Sequence, residues 1–185
     1  MPSFTKKAMI ESFLNLLAKK PLEKITVRDI VDDCGINRNT FYYYFQDTYA
    51  VVEEVCRMAE EKIPTEGTLG ERLSAYFLVL ASVAAAHNRA ARNLLASVGR
   101  DGVERYLGGT VERVCAACLC PAAGSAPAGA QSSLPLVALR HAFLGTCVDW
   151  FLADKREEAP AFAERLRRFF DLAGVALAQE ISDKN

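Results

Sequence analysis

The residues best suited to chemistry in this 185-residue chain lie in one short run, TVRDIVDDCGINRNTFYYYF, residues 26–45. After Gly35 come Asn37, Arg38, Asn39 and Thr40, then Tyr42, Tyr43 and Tyr44, with Phe41 and Phe45 framing the tyrosines. An arginine can grip guanine O6 and N7, an asparagine adenine N6 and N7, and a threonine methyl can meet the methyl of thymine. Tyrosine hydroxyls donate to phosphate without adding charge. This is the inventory of a nucleic-acid reader. His87 and His141, the two histidines, sit in no nucleophile motif, and no phosphate-binding loop or dinucleotide fingerprint accompanies them. An enzyme is not expected, nor is a cofactor.

Such side chains act together only if something rigid holds them. Val27, Ile30, Val31 and Cys34 recur at helical spacing after Thr26, which reads as an N-cap with Asp29 three residues on, a capping-box spacing. Gly35 stands where a left-handed helix end is wanted. A short second helix is expected from Asn37 to about Tyr44, with Ile36 and Phe41 pointing inward and Phe45 closing it. Two helices joined by a tight glycine turn form the unit that lays its second helix in the major groove. Several positions keep an alternative. Asn37 can cap the recognition helix instead of reading a base, and Thr26 can cap as well as contact. The tyrosines could be core, but three consecutive positions span about 300° of a helix, so at least one faces outward. Asp29, Asp32 and Asp33 are expected on a solvated face and would repel DNA if turned toward it.

The run ITVRDIVDDCGINRNTFYYYFQD resembles the DNA-binding domain of TetR-type regulators, whose pattern is a glycine turn, a short polar stretch, then Thr-Phe-Tyr-x-His/Tyr-Phe. The likeness in motif covers about residues 6–60. It implies that Thr26 and Arg28 reach DNA from the supporting helix, and that Asn37, Arg38, Asn39 and Thr40 contact bases or backbone. It further implies phosphate contacts from Tyr42 and Tyr44, with Tyr43 joining them. One departure stands out: where the family often has a phosphate-binding lysine, this chain has Thr48. A hydroxyl can still donate, but one salt-dependent contact is lost, so weaker and less salt-sensitive binding is expected.

Apolar residues three and four apart extend the helical reading over the whole chain. The expected fold is all-α with nine helices: a three-helix head at 1–47 and a six-helix regulatory and dimerisation body at 48–185. In the first helix Ala8, Phe13, Leu16 and Leu17 share a face, and Lys19-Lys20-Pro21 ends it. Later helices are expected at about 48–62, 69–87, 89–98 with Asn88 as cap, 101–119, 133–154 and 160–181. The uncharged, Pro/Gly/Ala-rich run at 120–132 reads as a flexible connection.

One short recognition helix reads too few base pairs to choose a genomic site, so a pair on a palindrome is expected. Around 134–152 apolar residues lie on nearly all sides: Leu136, Val137, Leu139, Phe143, Leu144, Cys147, Val148, Trp150, Phe151 and Leu152. The last helix adds Phe162, Leu166, Phe169, Phe170, Ala173 and Leu177. So little polar surface points to burial by a core and by a second copy, against the alternative of one monomeric core. The resemblance implies a four-helix bundle made by these helices from two subunits, and an inducer among the middle helices. Tyr76, Phe77, Leu80, His87, Leu94, Tyr106, Phe143, Cys147 and Trp150 are the candidates, a mix suited to an apolar or aromatic ligand, though such a stripe can equally be core.

Charge and cysteine content narrow the classes further. The net charge is −1, with seven Lys/Arg against six Asp/Glu in residues 1–50, so DNA contact must come from local placement. No stretch approaches the roughly 20 uninterrupted apolar residues of a membrane span. No apolar signal core with a cleavage site follows the first methionine, and a cytoplasmic protein is expected. Cys34, Cys56, Cys115, Cys118, Cys120 and Cys147 then read as reduced thiols, mostly buried. Cys115, Cys118 and Cys120 invite a metal, but no second ligand pair appears and none is assigned. Three functions compete: a ligand-responsive repressor on double-stranded DNA, a co-regulator of the same fold whose head binds a protein, and a thiol-responsive regulator.

Overall fold

The computed structural model describes residues 4–119, 134–153 and 157–182, and among them every regular element is helical. In chain order these are α1 (Phe4–Leu17), a 3-10 turn (Leu22–Lys24), α2 (Val27–Cys34), α3 (Arg38–Tyr44) and α4 (Thr48–Glu60). Then come α5 (Leu69–Ala86), α6 (Asn88–Leu119), α7 (Leu134–Leu152) and α8 (Ala159–Ser182). The expected class holds, but the count among the described residues is eight, not nine. The segments expected as 89–98 and 101–119 run as one element, broken by non-helical backbone at Gly99, whose φ of 61° is open to glycine without strain. The expected connection at 120–132 and Cys120 lie outside the described residues.

Two units make up the chain, residues 1–58 with 82–102 and residues 59–81 with 103–185, the divisions falling within α4, α5 and α6. In the first unit Met9, Ile10, Phe13 and Leu17 of α1 are buried with Ile30 and Val31 of α2, Phe41 of α3 and Val51 and Val52 of α4. The apolar stripe of α1 is therefore rotated slightly from expectation, because Ala8 and Leu16 are only half-buried. Polar ties lock the same elements. Lys6 Nζ lies 2.9 Å from Glu54 Oε1, joining α1 to α4, and sits 5.6 Å from the ring centre of Phe45. Arg57 first, and then Lys6, hold the Glu54 carboxyl below the usual range. Asn93 of α6 donates to Leu17 O at 2.8 Å, and Ser97 accepts from Leu22 N at 3.1 Å while donating to Glu23.

In the second unit Leu73, Tyr76 and Phe77 of α5 are buried with Val111 and Cys115 of α6, Phe143 of α7 and Phe170 of α8. By length and composition α5 could cross a membrane, the one such helix among the described residues, but these side chains are core packing. Its start is tied to α8: Gly70 N donates to Asp171 Oδ1 at 3.0 Å. A Cβ at Gly70 would meet the backbone oxygen of Arg167, so the two helices approach there without room for a side chain. Gly174 faces Leu69 on the same seam.

Candidate nucleic-acid interface

The supporting helix starts as its sequence requires. Thr26 Oγ1 accepts from Asp29 N at 3.2 Å, and Asp29 Oδ2 accepts from Thr26 N at 2.8 Å, a complete capping box. Lys20 Nζ adds an ion pair to Asp29 at 2.8 Å. Lys20 and then Thr26 hold the Asp29 carboxyl down at about 2. Asp29 is thus half-buried and engaged, which corrects its expected place on a solvated face; Asp32 and Asp33 are exposed as expected. Its charge is offset by Lys20 before any DNA approaches. Gly35 ends the helix with φ 66°, and Ile36 N returns to Val31 O at 3.0 Å, the Schellman ending.

Asn37 then opens α3. Its Oδ1 accepts from Thr40 N at 2.8 Å and from Thr40 Oγ1 at 3.1 Å, so it caps the helix. Along α3 the side chains sort into rows four residues apart, as 3.6 residues per turn demands. Phe41 and Phe45 form the inner row, both buried, their ring centres 5.6 Å apart. Arg38 with Tyr42 and Asn39 with Tyr43 form two outer rows, all exposed, Tyr43 at 81%. Thr40 and Tyr44 lie half-buried at the flank, and Tyr44 meets Tyr43 edge to face at 4.9 Å. Buried, half-buried and exposed side chains thus sort by face within residues 38–45.

Two further positions from the supporting elements differ from each other. Arg28 is exposed and its Nε pairs with Asp32 at 3.3 Å, an arrangement that water screens and a phosphate can displace. Thr48 is largely buried, 8% exposed, and Asp47 caps α4 by accepting from Ala50 N at 2.9 Å. Asn93, Ser97, Lys6 and Glu54, which brace this head, were not anticipated. The contacts that tie them to other elements span 48 or more positions, and spacing within one helix carries no sign of those.

The proposed ligand residues fall in both units. His87 and Leu94 belong to the first and are half-buried. In the second, Tyr76 stacks on Phe143 at 6.2 Å, and Phe77 meets Trp150 at 5.0 Å and Phe162 at 4.9 Å. Tyr76, Phe77, Phe143 and Cys147 are buried as core, whereas Leu80, Tyr106 and Trp150 are half-buried. Trp150 Nε1 donates to Glu157 O at 3.0 Å. Of the apolar positions on α7 and α8, six of α7 are buried: Leu136, Leu139, Phe143, Leu144, Cys147 and Val148. Outward on the same two helices are Leu152, Phe169, Leu172 and Val175, with Leu172 at 74% exposure.

Residues 10–55 match the family model described as bacterial regulatory proteins, tetR family. No curated protein matches the chain. Three solved structures resemble it closely enough to show a shared fold. A tetR-family transcriptional regulator from Streptomyces coelicolor is 17% identical, with a TM-score of 0.61 over 95% of this chain and 90% of that one. A TetR transcriptional regulator from Streptococcus agalactiae 2603V is 17% identical, with a TM-score of 0.60 over 90% of this chain and 93% of its own. A TetR transcriptional regulator from Rhodococcus sp. RHA1 is 15% identical, with a TM-score of 0.55 over 95% and 99%. The helix-turn-helix of α2 and α3 lies within the residues that match the tetR family model, and over the rest of the chain the likeness to these regulators is one of fold.

Proposed function

We propose that this protein is a cytoplasmic transcription regulator, a repressor that binds a palindromic DNA operator as a homodimer and is released by a small apolar or aromatic ligand. One observation carries the reading: α3 is propped by Phe41 and Phe45 and presents Arg38, Asn39, Tyr42 and Tyr43 outward as two adjacent rows. In this reading Arg38 reads a base, Asn39 and Thr40 assist, and Tyr42 and Tyr44 hold phosphates, with Tyr43 joining them. Thr26 and Arg28 approach the backbone from α2, and Asn37 serves first as a cap. Two copies pair through α7 and α8, whose outward Leu152, Phe169, Leu172 and Val175 support a subunit interface. The effector is taken up among the aromatic residues of the body. It acts by favouring a spacing of the heads that no longer matches successive major grooves, about 34 Å apart.

The test is binding to genomic fragments at several salt concentrations. Arg38→Ala should weaken specific binding by about 1–3 kcal/mol and relax the preference at one position of each half-site. Tyr42→Phe should weaken binding across all sequences, with the salt slope unchanged because no charge is removed. Sequence-specific binding that survives both changes would defeat this assignment. A second reading is favoured by the burial of Thr48, which leaves little of that side chain for a phosphate to meet. In it the head docks on a partner protein, and no genomic fragment is retained.

A further inference from the structure

Five cysteines lie among the described residues, and four of them are poor nucleophiles by position. Burial pushes the thiols of Cys56 and Cys115 up to about 12, with Glu53 adding to the first and Cys118 to the second. Burial also raises Cys147, and it raises Cys34, whose sulfur donates to Ala8 O at 3.5 Å. Cys118 differs in its surroundings. It is half-buried, one residue from the end of α6, and Arg72 Nη1 of α5 donates to its Sγ at 3.5 Å. Arg72 is itself braced, since its Nε donates to Pro64 O at 2.9 Å. The guanidinium therefore touches the Cys118 sulfur directly, whereas at Cys115 its influence is outweighed by burial. Cys115 stands one turn back on the same helix.

We propose that Cys118 is the thiol that hydroperoxides oxidise first, and that Cys115 then closes on it to form a disulfide. In the first step the Cys118 thiolate attacks one peroxide oxygen. An S–O bond forms, the O–O bond breaks, and the departing oxygen takes up a proton as water or an alcohol. Sulfur is oxidised by two electrons to sulfenic acid and the peroxide is reduced. In the second step Cys115 loses its proton and attacks the Cys118 sulfur. The S–S bond forms, the S–O bond breaks, and hydroxide leaves with that proton as water. Helix geometry puts the two Cα atoms about 5 Å apart, inside the range a disulfide accepts. The Cβ atoms of a regular helix stand about 1 Å too far apart, so the last turn must loosen. Burial of Cys115 makes the second step the slower one, so the sulfenic acid should accumulate before it disappears.

The experiment treats the reduced full chain with hydrogen peroxide and follows thiol loss, intact mass and dimedone trapping. No DNA enters these readouts, so they stand or fall separately from the regulatory reading. The parent should lose two thiols and two hydrogens, with an early dimedone adduct that fades. Cys120→Ser should behave like the parent. Cys115→Ser should leave a persistent dimedone adduct, and Cys118→Ser should slow oxidation by about tenfold. Arg72→Gln, checked for helicity by circular dichroism, should slow it by about threefold to tenfold while leaving the product unchanged. In strong denaturant the advantage of Cys118 should vanish, which keeps the proposal testable even if a variant folds poorly. A disulfide that persists in Cys115→Ser and disappears in Cys120→Ser would overturn it. So would oxidation at an undiminished rate in Cys118→Ser.

Discussion

Replacing Asn37 isolates what holds the short recognition helix in place. α3 has only seven residues, and its first turn relies on Asn37 Oδ1 for the Thr40 amide. Asn37→Ala removes that acceptor and should cost about 1 kcal/mol. For a chain of this size the melting temperature should fall by about 2–4 °C. If opening is confined to the helix start, the Thr40 amide should exchange about fivefold faster, the Boltzmann equivalent of the same energy. Asn37→Ser and Asn37→Asp keep a side-chain acceptor and should hold both quantities near the parent. DNA affinity then separates cap from reader. If Asn37 only caps, the serine variant retains affinity, the alanine variant loses part of it, and the aspartate variant loses most through repulsion. If Asn37 reads a base, serine loses affinity while remaining as stable as the parent. An alanine variant with unchanged melting and unchanged Thr40 exchange would refute the capping argument altogether.

Three further outcomes follow from the head. The folded-state pKa of Asp29, about 2 against an ordinary 3.8, is depressed, so its stabilising effect is complete above the ordinary value and lost as pH falls toward 2. Thermal unfolding of the parent and Asp29→Asn should therefore converge across that acid window. Gly35→Ala meets no atom within 4 Å, so it should cost only the left-handed backbone strain, about 1–2 kcal/mol in urea unfolding. Phe41→Ala empties a fully buried site and should cost about 3–5 kcal/mol; Phe41→Leu should recover most of that stability.

What the sequence made legible was what acts over three or four residues. The Thr26–Asp29 box, the glycine ending of α2 and the inner row of Phe41 and Phe45 each depend on neighbours within one turn, and the structure contains all three. Longer-range facts were hidden. The capping role of Asp29 was legible, but its ion pair was not, because Lys20 lies nine positions away, across the 3-10 turn. Thr48 was weighed as a donor standing where the resembled family often has lysine, yet here Asp47 supplies the cap and Thr48 is mostly buried. On α7 the apolar residues gave no hint of facing, since a helix apolar on most sides offers no dominant direction. Composition could not say that Leu152 looks out while Val148 looks in.

The seam at Gly70 has a consequence for how such a protein can vary. Its clearance is set by the main chain of Arg167, which has no alternative rotamer, so even one methyl group must lever α8 away from α5. The outer side of that helix carries Phe169, Leu172 and Val175, so their height and angle are inherited from a hydrogen atom on its opposite side. Under the proposed pairing, substitutions at the three outward positions would retune partner preference one residue at a time. Enlarging position 70 would tilt all three at once.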